Sequence, residues 1–195
     1  MSLLYERRLP TAVFRSYLGK PAEACLQVHQ THSARVVSSA LPRLDAEEAD
    51  GIVGDAAETL AMKTADCLPV ALLGERRHAL VHAGWRGLQG KILRAPELVA
   101  LRPSYAFIGP CIRACCFEVT AEFADHFPQA PLLSRADGTL RFDLVAEARR
   151  QLLEAYPWIE VEESGLCTCC DKKFPSYRRD RTAQRIWNLL APLAE

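Results

Sequence analysis

The sequence lacks the long apolar runs that membrane-spanning proteins need. No stretch in its 195 residues approaches the ~18 consecutive apolar residues of a membrane-spanning helix. The opening segment, MSLLYERRLP, also lacks the apolar core and small-residue cleavage site of a secretory signal. We therefore expect a cytoplasmic protein with no membrane partner.

An excess of charge of either sign is also absent. The 24 basic and 24 acidic side chains give a formal net charge of zero, which offers no global electrostatic reason to bind nucleic acid. Repeats and low-complexity runs are missing, and 49% of the residues are hydrophobic, so disorder as the main state is excluded. Length and composition predict one domain over residues 1–195, with a substantial core.

Cysteine, in contrast, is abundant. In a chain without an export signal, cysteines are expected as reduced core thiols, metal ligands or nucleophiles rather than disulfides. Adjacent cysteine pairs are also poorly suited to a disulfide scaffold. The eight cysteines are Cys25, Cys67, Cys111, Cys115, Cys116, Cys167, Cys169 and Cys170.

Short apolar runs bounded by glycine, proline or charge predict strands, and these outnumber helices in the first half of the chain. Helical spacing appears later, which favours α+β or mixed-sheet α/β over strict alternation. The predicted strands cover 51–53, 60–62, 69–73, 78–82 and 105–108. The predicted helices cover 87–95, 143–156 with Asp143 as N-cap, and about 180–190.

Three separate strand ends carry a histidine or a cysteine. His29 follows an apolar run, Cys67 lies in the turn TADCLP, and His82 ends a predicted strand. Two imidazoles and one thiolate suit zinc with one coordination position left open. An open position activates water or polarises a substrate oxygen. If the three residues converge, they form a catalytic metal site.

The same residues allow two other interpretations. Spacing alone favours His29 and His82 as hydrogen-bonded core residues, with Cys67 as a small buried side chain. Alternatively, Cys67 is a nucleophile and one of the two histidines is its base. Zinc binding and nucleophilic attack use the same thiolate, so the residues alone leave these alternatives open.

Two arginines are candidates for binding an anionic substrate, because guanidinium groups suit phosphate and carboxylate. Arg86 lies in the turn after His82, and Arg179 lies just before Asp180, a predicted helix N-cap. For the run 178–181, a solvated helix start with local ion pairs is the simpler interpretation.

The other cysteines concentrate in the segments IGPCIRACCFEV and GLCTCCDKKFPSY. A second zinc site is conceivable from Cys111 and Cys115 in CIRAC together with Cys167 and Cys170 in CTCC. The pairs are irregularly spaced, however, and buried thiols are common, so reduced structural thiols are favoured.

Six motifs together resemble the YfiH/YlmD-like family, also called the laccase-domain or polyphenol-oxidase-like family. TADCLPV and HAGWRG in this order are the most specific of them. The matching segments are QVHQTHSARVV, ADGIVGD, TADCLPVALL, VHAGWRGLQGKIL, IGPCIRACCFEV and LCTCCDKKFPSYRRD.

The resemblance implies a four-layer α/β/β/α fold with mixed sheets, and an active site in which His29, Cys67 and His82 hold zinc. It implies phosphorolysis of purine nucleosides, chiefly adenosine, with inosine, guanosine and methylthioadenosine also accepted, and adenosine deaminase as a side activity. Arg86 and Arg179 are then expected to bind substrate.

Two alternatives accompany this expectation. The older oxidase name implies copper and phenol oxidation, but five histidines are too few for a blue-copper site and a trinuclear cluster together. A non-catalytic zinc-binding protein is the other alternative. The chain departs from the family in its short region before His29, and in Gln30, which stands where a glycine usually follows the histidine.

Overall fold

Most apolar runs of the sequence form β-strands in the computed structural model, which describes residues 1–130 and 132–193. In chain order the strands are β1 (Ser2–Arg8), β2 (Ala12–Leu18), β3 (Val36–Ser38), β4 (Gly51–Asp55), β5 (Leu60–Thr64), β6 (Leu68–Leu73), β7 (Arg77–Ala83), β8 (Tyr105–Ile108), β9 (Glu118–Val119), β10 (Leu133–Ser134), β11 (Leu140–Arg141), β12 (Glu160–Glu163) and β13 (Ile186–Pro192). The α-helices are α1 (Trp85–Gln89), α2 (Pro96–Leu101), α3 (Leu144–Ala155) and α4 (Tyr177–Asp180), and 3-10 helices cover Leu44–Ala46, Ile92–Arg94 and Ala121–His126.

The strands form two main sheets and a small one. A four-stranded antiparallel sheet has the order β1-β2-β13-β5. A six-stranded sheet has the order β12-β8-β6-β7-β4-β3, in which the two outermost pairs are parallel and the inner pairs antiparallel. The small sheet has the order β10-β11-β9. The expected mixed-sheet α/β class is therefore confirmed.

Strand β6 shows how the core is shared between layers. Successive side chains of a strand point to opposite faces, and every residue of β6 is buried. Val70 and Leu72 pack in one apolar cluster with residues of α1, α2 and α3, whereas Ala71 and Leu73 pack in another with residues of the four-stranded sheet. These core contacts define three of the four expected layers.

All five predicted strands are confirmed, and so is the predicted helix beginning at Asp143. The Asp143 carboxylate accepts hydrogen bonds from the backbone N–H groups of Val145 and Ala146, which caps α3. The helix ends at Ala155, two residues before Pro157. In the described ranges, every helix is too short or too polar to cross a bilayer.

Two helix predictions require correction. The segment 87–95 is divided between α1 and a 3-10 helix, and Pro96 begins α2 because proline fits the first turn of a helix. The predicted helix at 180–190 is wrong. Helix α4 stops before Arg181, whose φ of 51° lies in the left-handed region, and β13 follows. Strand β13 pairs with β2 on one side and β5 on the other, so tertiary pairing overrides the helical spacing of its apolar residues.

Candidate functional site

A cavity of about 670 Å³ opens where β5 ends, β6 begins and β7 ends. Lysine and arginine side chains and several aromatic rings contribute to its wall. The lining residues are His29, Gln30, His32, Lys63, Thr64, Ala65, Asp66, Cys67, His82, Trp85, Arg86, Ile112, Phe117, Leu144, Tyr177, Arg178, Arg181 and Arg185.

Three side chains that could hold a metal ion converge in this cavity. One ligand atom each from His32, Cys67 and His82 lies within 4.8 Å of the other two. His82 is buried, Cys67 is half-buried and His32 is exposed, so the group lies between the core and the opening. An ion with zinc bond lengths would hold two imidazole nitrogens and one sulfur about 3.5 Å apart. This donor set fits zinc after small side-chain movements.

The close approach of these residues depends on a glycine. A Cβ atom placed on Gly84 would lie 3.0 Å from the Cys67 Sγ and 3.6 Å from the His32 Cδ2. Gly84 is the residue between β7 and α1, so its missing side chain makes room for the thiol beside the histidines.

Cys67 sits in a turn that Asp66 secures. Asp66 has a φ of 89°, which is unusual for a residue with a side chain. Its carboxylate accepts hydrogen bonds from the Thr168 hydroxyl at 2.7 Å, the Ser176 hydroxyl at 3.1 Å and the Arg178 N–H at 2.6 Å. These bonds fix the backbone from which the thiol projects.

Asp50 positions both histidines, although the sequence motif ADGIVGD gave no indication of this role. Its Oδ1 accepts a hydrogen bond of 2.7 Å from the His82 Nδ1, which leaves Nε2 of that ring as the nitrogen able to bind a metal. Its Oδ2 accepts from the N–H groups of Thr31 and Ser33 and from the Ser33 hydroxyl, at 2.6–3.2 Å. Those bonds hold the loop that carries His32.

Opposite charges dominate the electrostatics of this group. Burial raises the pKa of Asp50, but the hydrogen bond from His82 and the charge of His82 outweigh this effect and lower the pKa to about 2. Burial raises the pKa of Cys67, but the His82 charge and the hydrogen bonds from His32 and His82 bring it down to about 6. Burial lowers the pKa of His82, but the Cys67 charge and the Asp50 hydrogen bond raise it to about 9. The thiolate is the form that binds metal or attacks a substrate.

The structure brings Cys67 and His82 together, but it places His32, and not the predicted His29, beside them. His29 lines the cavity, and its backbone pairs with Glu47 and Ala49. The signal in the sequence was ambiguous, because Gln27-Val28-His29 and Gln30-Thr31-His32 repeat the pattern Q-x-H. With His32 as the third group, Ser33 and not Gln30 follows the histidine.

The two predicted substrate-binding arginines lie in different environments. Arg86 lines the cavity, and its guanidinium lies 4.7 Å from the centre of the Trp85 ring. Arg179 lies outside the residues that line the cavity. Its guanidinium donates to the backbone carbonyls of Thr168, Cys169 and Phe174 and to the Asp180 carboxylate. Those bonds occupy its donors, so Arg179 stabilises the cysteine-rich loop.

We expect Arg179→Met to destabilise the fold without changing how the cavity binds anions. Removing hydrogen bonds from a charged donor to backbone carbonyls costs about 1.5–3 kcal/mol. Urea unfolding should show this loss of stability. The affinity for phosphate should stay within about twofold of the native value, because losing one such bond to phosphate would change the affinity by more. A large loss of phosphate affinity in a folded variant would instead indicate that Arg179 binds substrate.

The remaining cavity wall is basic and aromatic. Lys63, Arg178, Arg181 and Arg185 line it, and Asp66, whose carboxylate is already hydrogen-bonded, is the acidic residue among the described lining residues. Trp85, Phe117 and Tyr177 add ring surfaces. Such a wall suits a ligand with an anionic part and a flat aromatic part.

Known proteins with this sequence pattern include enzymes named for nucleoside chemistry. The family described as multi-copper polyphenol oxidoreductase laccase matches residues 10–191. A protein from Aquifex aeolicus named purine nucleoside phosphorylase is 36% identical over 185 residues, covering 89% of this chain and 84% of the relative. The adenosine deaminase RL5 of an unknown prokaryotic organism is 31% identical, covering 83% of this chain and 72% of that protein.

Solved structures show the same fold. The crystal structure of the Neisseria meningitidis protein NMB0706 superposes with a TM-score of 0.77 at 31% identity. The match covers 87% of this chain and 75% of that one.

Proposed function

The chain belongs to the multi-copper polyphenol oxidoreductase laccase family, and we propose that within this family it is a zinc-dependent purine nucleoside phosphorylase. The proposal rests on one observation: a single cavity contains both the His32–Cys67–His82 group and a basic and aromatic wall. The name of the Aquifex relative supports the same class of reaction.

Phosphorolysis needs room for a nucleoside beside a phosphate. The cavity of about 670 Å³ falls within the size range of small-molecule sites. We assign the purine to the Trp85, Phe117 and Tyr177 rings, because flat bases stack on aromatic surfaces. The phosphate is assigned to Arg86, whose guanidinium suits phosphate oxygens and which lies in the turn after His82.

We assign zinc to His32, Cys67 and His82. When bound, zinc would supply positive charge that polarises an oxygen atom of a ligand. Asp50 keeps His82 in the required tautomer and holds the His32 loop in place. His29, on the cavity wall, stays in the proposal as a residue that contacts the substrate rather than the metal.

In the proposed reaction, a phosphate oxygen forms a bond to C1′ of the ribose while the bond from C1′ to the purine nitrogen breaks. The electron pair of that bond leaves with the purine, which takes up a proton. Ribose 1-phosphate and the free base are the products. Adenosine is the first substrate to test, followed by inosine, guanosine and methylthioadenosine.

The test is chromatography of adenosine incubated with the protein, with and without inorganic phosphate. Adenine and ribose 1-phosphate should form together, and only when phosphate is present. Inosine as the product would indicate deamination, the activity for which RL5 is named. No conversion of any nucleoside by the zinc-loaded protein would favour a non-catalytic role. Copper-dependent oxidation of phenols would favour the oxidase alternative.

Arg86→Ala tests the phosphate assignment. We expect the KM for phosphate to rise about 10- to 100-fold, because a hydrogen-bonded interaction with a charged group contributes about 1.5–3 kcal/mol. Zinc content should stay unchanged, since Arg86 is not among the grouped ligands. Arg76→Ala is the matched control, because Arg76 is exposed in the turn before β7. Equal KM values in both variants would refute the assignment.

A further inference from the structure

Four cysteine side chains converge outside the cavity. The Sγ atoms of Cys115, Cys116, Cys167 and Cys170 lie within 4.8 Å of one another. The Cys170 Sγ lies 3.5 Å from that of Cys115 and 3.3 Å from that of Cys116. Four thiolates bound tetrahedrally to zinc stand about 3.8 Å apart. Both Cys170 separations lie slightly below this value and no pair exceeds 4.8 Å, and we propose that these cysteines bind a second zinc ion in a closed structural site.

The turn that carries two of these cysteines is shaped to bind metal. Within Cys167-Thr168-Cys169-Cys170, the Cys167 carbonyl accepts a hydrogen bond of 3.0 Å from the Asp171 N–H, which closes the turn. The turn therefore holds Cys167 and Cys170 three positions apart, the C-x-x-C spacing that structural zinc sites use.

Backbone pairing brings the two cysteine-rich segments together. The Thr168 N–H donates to the Cys111 carbonyl at 3.0 Å, and the Cys111 N–H donates to the Leu166 carbonyl at 3.4 Å. Cys111 itself lies in the apolar core, where burial raises the pKa of its thiol. The ligand set therefore contains Cys116 in place of Cys111, the residue that the sequence pattern suggested.

A central ion accounts for this arrangement better than disulfides do. All eight cysteines are free thiols in the structure. Cys170 is close to both Cys115 and Cys116 but can form a disulfide with only one of them. A single disulfide would leave two of the four sulfurs unexplained, whereas tetrahedral zinc uses all four.

The proposed site would brace the cavity wall. One of its segments leads from Cys116 directly to Phe117, which lines the cavity. The other segment leads to Tyr177 and Arg178, and the Arg178 guanidinium donates to the Cys116 and Glu118 carbonyls at 3.3 and 2.9 Å. Because four thiolates fill the coordination sphere, the second zinc would have a structural role.

Metal analysis of protein prepared under reducing conditions tests the proposal, independently of the proposed activity. We expect two zinc ions per native chain, one in Cys170→Ser and one in Cys67→Ser. The double variant should bind none. Cys169→Ser is the matched control and should retain both ions, because Cys169 lies in the same turn but outside the group of four. Equal zinc loss in Cys169→Ser and Cys170→Ser would overturn the ligand set.

Cobalt substitution provides a second measurement that does not require Cys170→Ser to fold. In the Cys67→Ser chain, the bound cobalt should retain the strong sulfur-to-metal charge-transfer absorption of a four-thiolate site. A Cys67→Ser chain that binds no metal would overturn the proposal, and so would a disulfide at Cys170 found by mass spectrometry of reductively prepared protein. A native chain that binds only one zinc ion, kept in Cys67→Ser and lost in Cys170→Ser, would contradict the proposed function and leave the second site intact.

Discussion

His32→Ala is expected to remove the cavity zinc and, with it, nearly all nucleoside phosphorolysis. In the proposed function its imidazole is one of three protein ligands, together with Cys67 and His82. A site with three protein ligands that loses one of them keeps little affinity for its ion. We expect kcat/KM for adenosine to fall at least 10³-fold, a loss of about 4 kcal/mol of transition-state stabilisation.

His29→Ala is the matched control, because His29 lines the same cavity three residues earlier in the chain but lies outside the ligand group. We expect it to keep its zinc and to change mainly the KM for the nucleoside. Zinc content by elemental analysis and initial rates with adenosine measure both variants. If His29→Ala lost the metal and His32→Ala kept it, the ligand set first predicted from the sequence would be restored.

Asp50→Asn is expected to have the second-largest effect. The carboxylate is buried, donates nothing and accepts from both the His82 ring and the loop that carries His32. An amide in its place would present an N–H group to one of these donors and weaken the support of both ligands. Changes to such supporting residues lower metal affinity about 10- to 100-fold. Thermal stability should fall as well, because buried donors lose an acceptor.

Zinc affinity measured by competition with a chelator tests this prediction. Asp55→Asn is the matched control, since Asp55 ends β4, the strand that directly follows Asp50. Asp55 is exposed, and its side chain accepts a hydrogen bond only from the Ala57 N–H among the described contacts. We expect the control to retain native zinc affinity. If the Asp50 and Asp55 variants bound zinc equally well, Asp50 would have no positioning role for the ligands.

The sequence by itself determined five of the strands, helix α3 and the motifs that identify the family. Each of these follows from a pattern of residues that are neighbours in the sequence. The run 69–73 is apolar throughout, and 78–82 is apolar between its two histidines, because β6 and β7 are buried on both faces. Asp143 predicts the start of α3 because a carboxylate caps the first N–H groups of a helix. Cys67 and His82 stood out because each lies beside a sharp turn at a strand end.

Tertiary structure decided what local spacing could not. Two Q-x-H patterns offer a histidine to the site. Thr31 and Ser33 donate hydrogen bonds to Asp50, and these bonds orient the loop so that His32 lies beside Cys67 and His82. Asp50 reaches His82, 32 positions away in the sequence, because β4, which follows Asp50, pairs antiparallel with β7. Strand β13 forms in place of a helix because β2 and β5, far away in the chain, offer it hydrogen-bonding partners on both sides. Local patterns record which side chains prefer burial or a turn, whereas contacts between distant segments are fixed only when the sheets assemble.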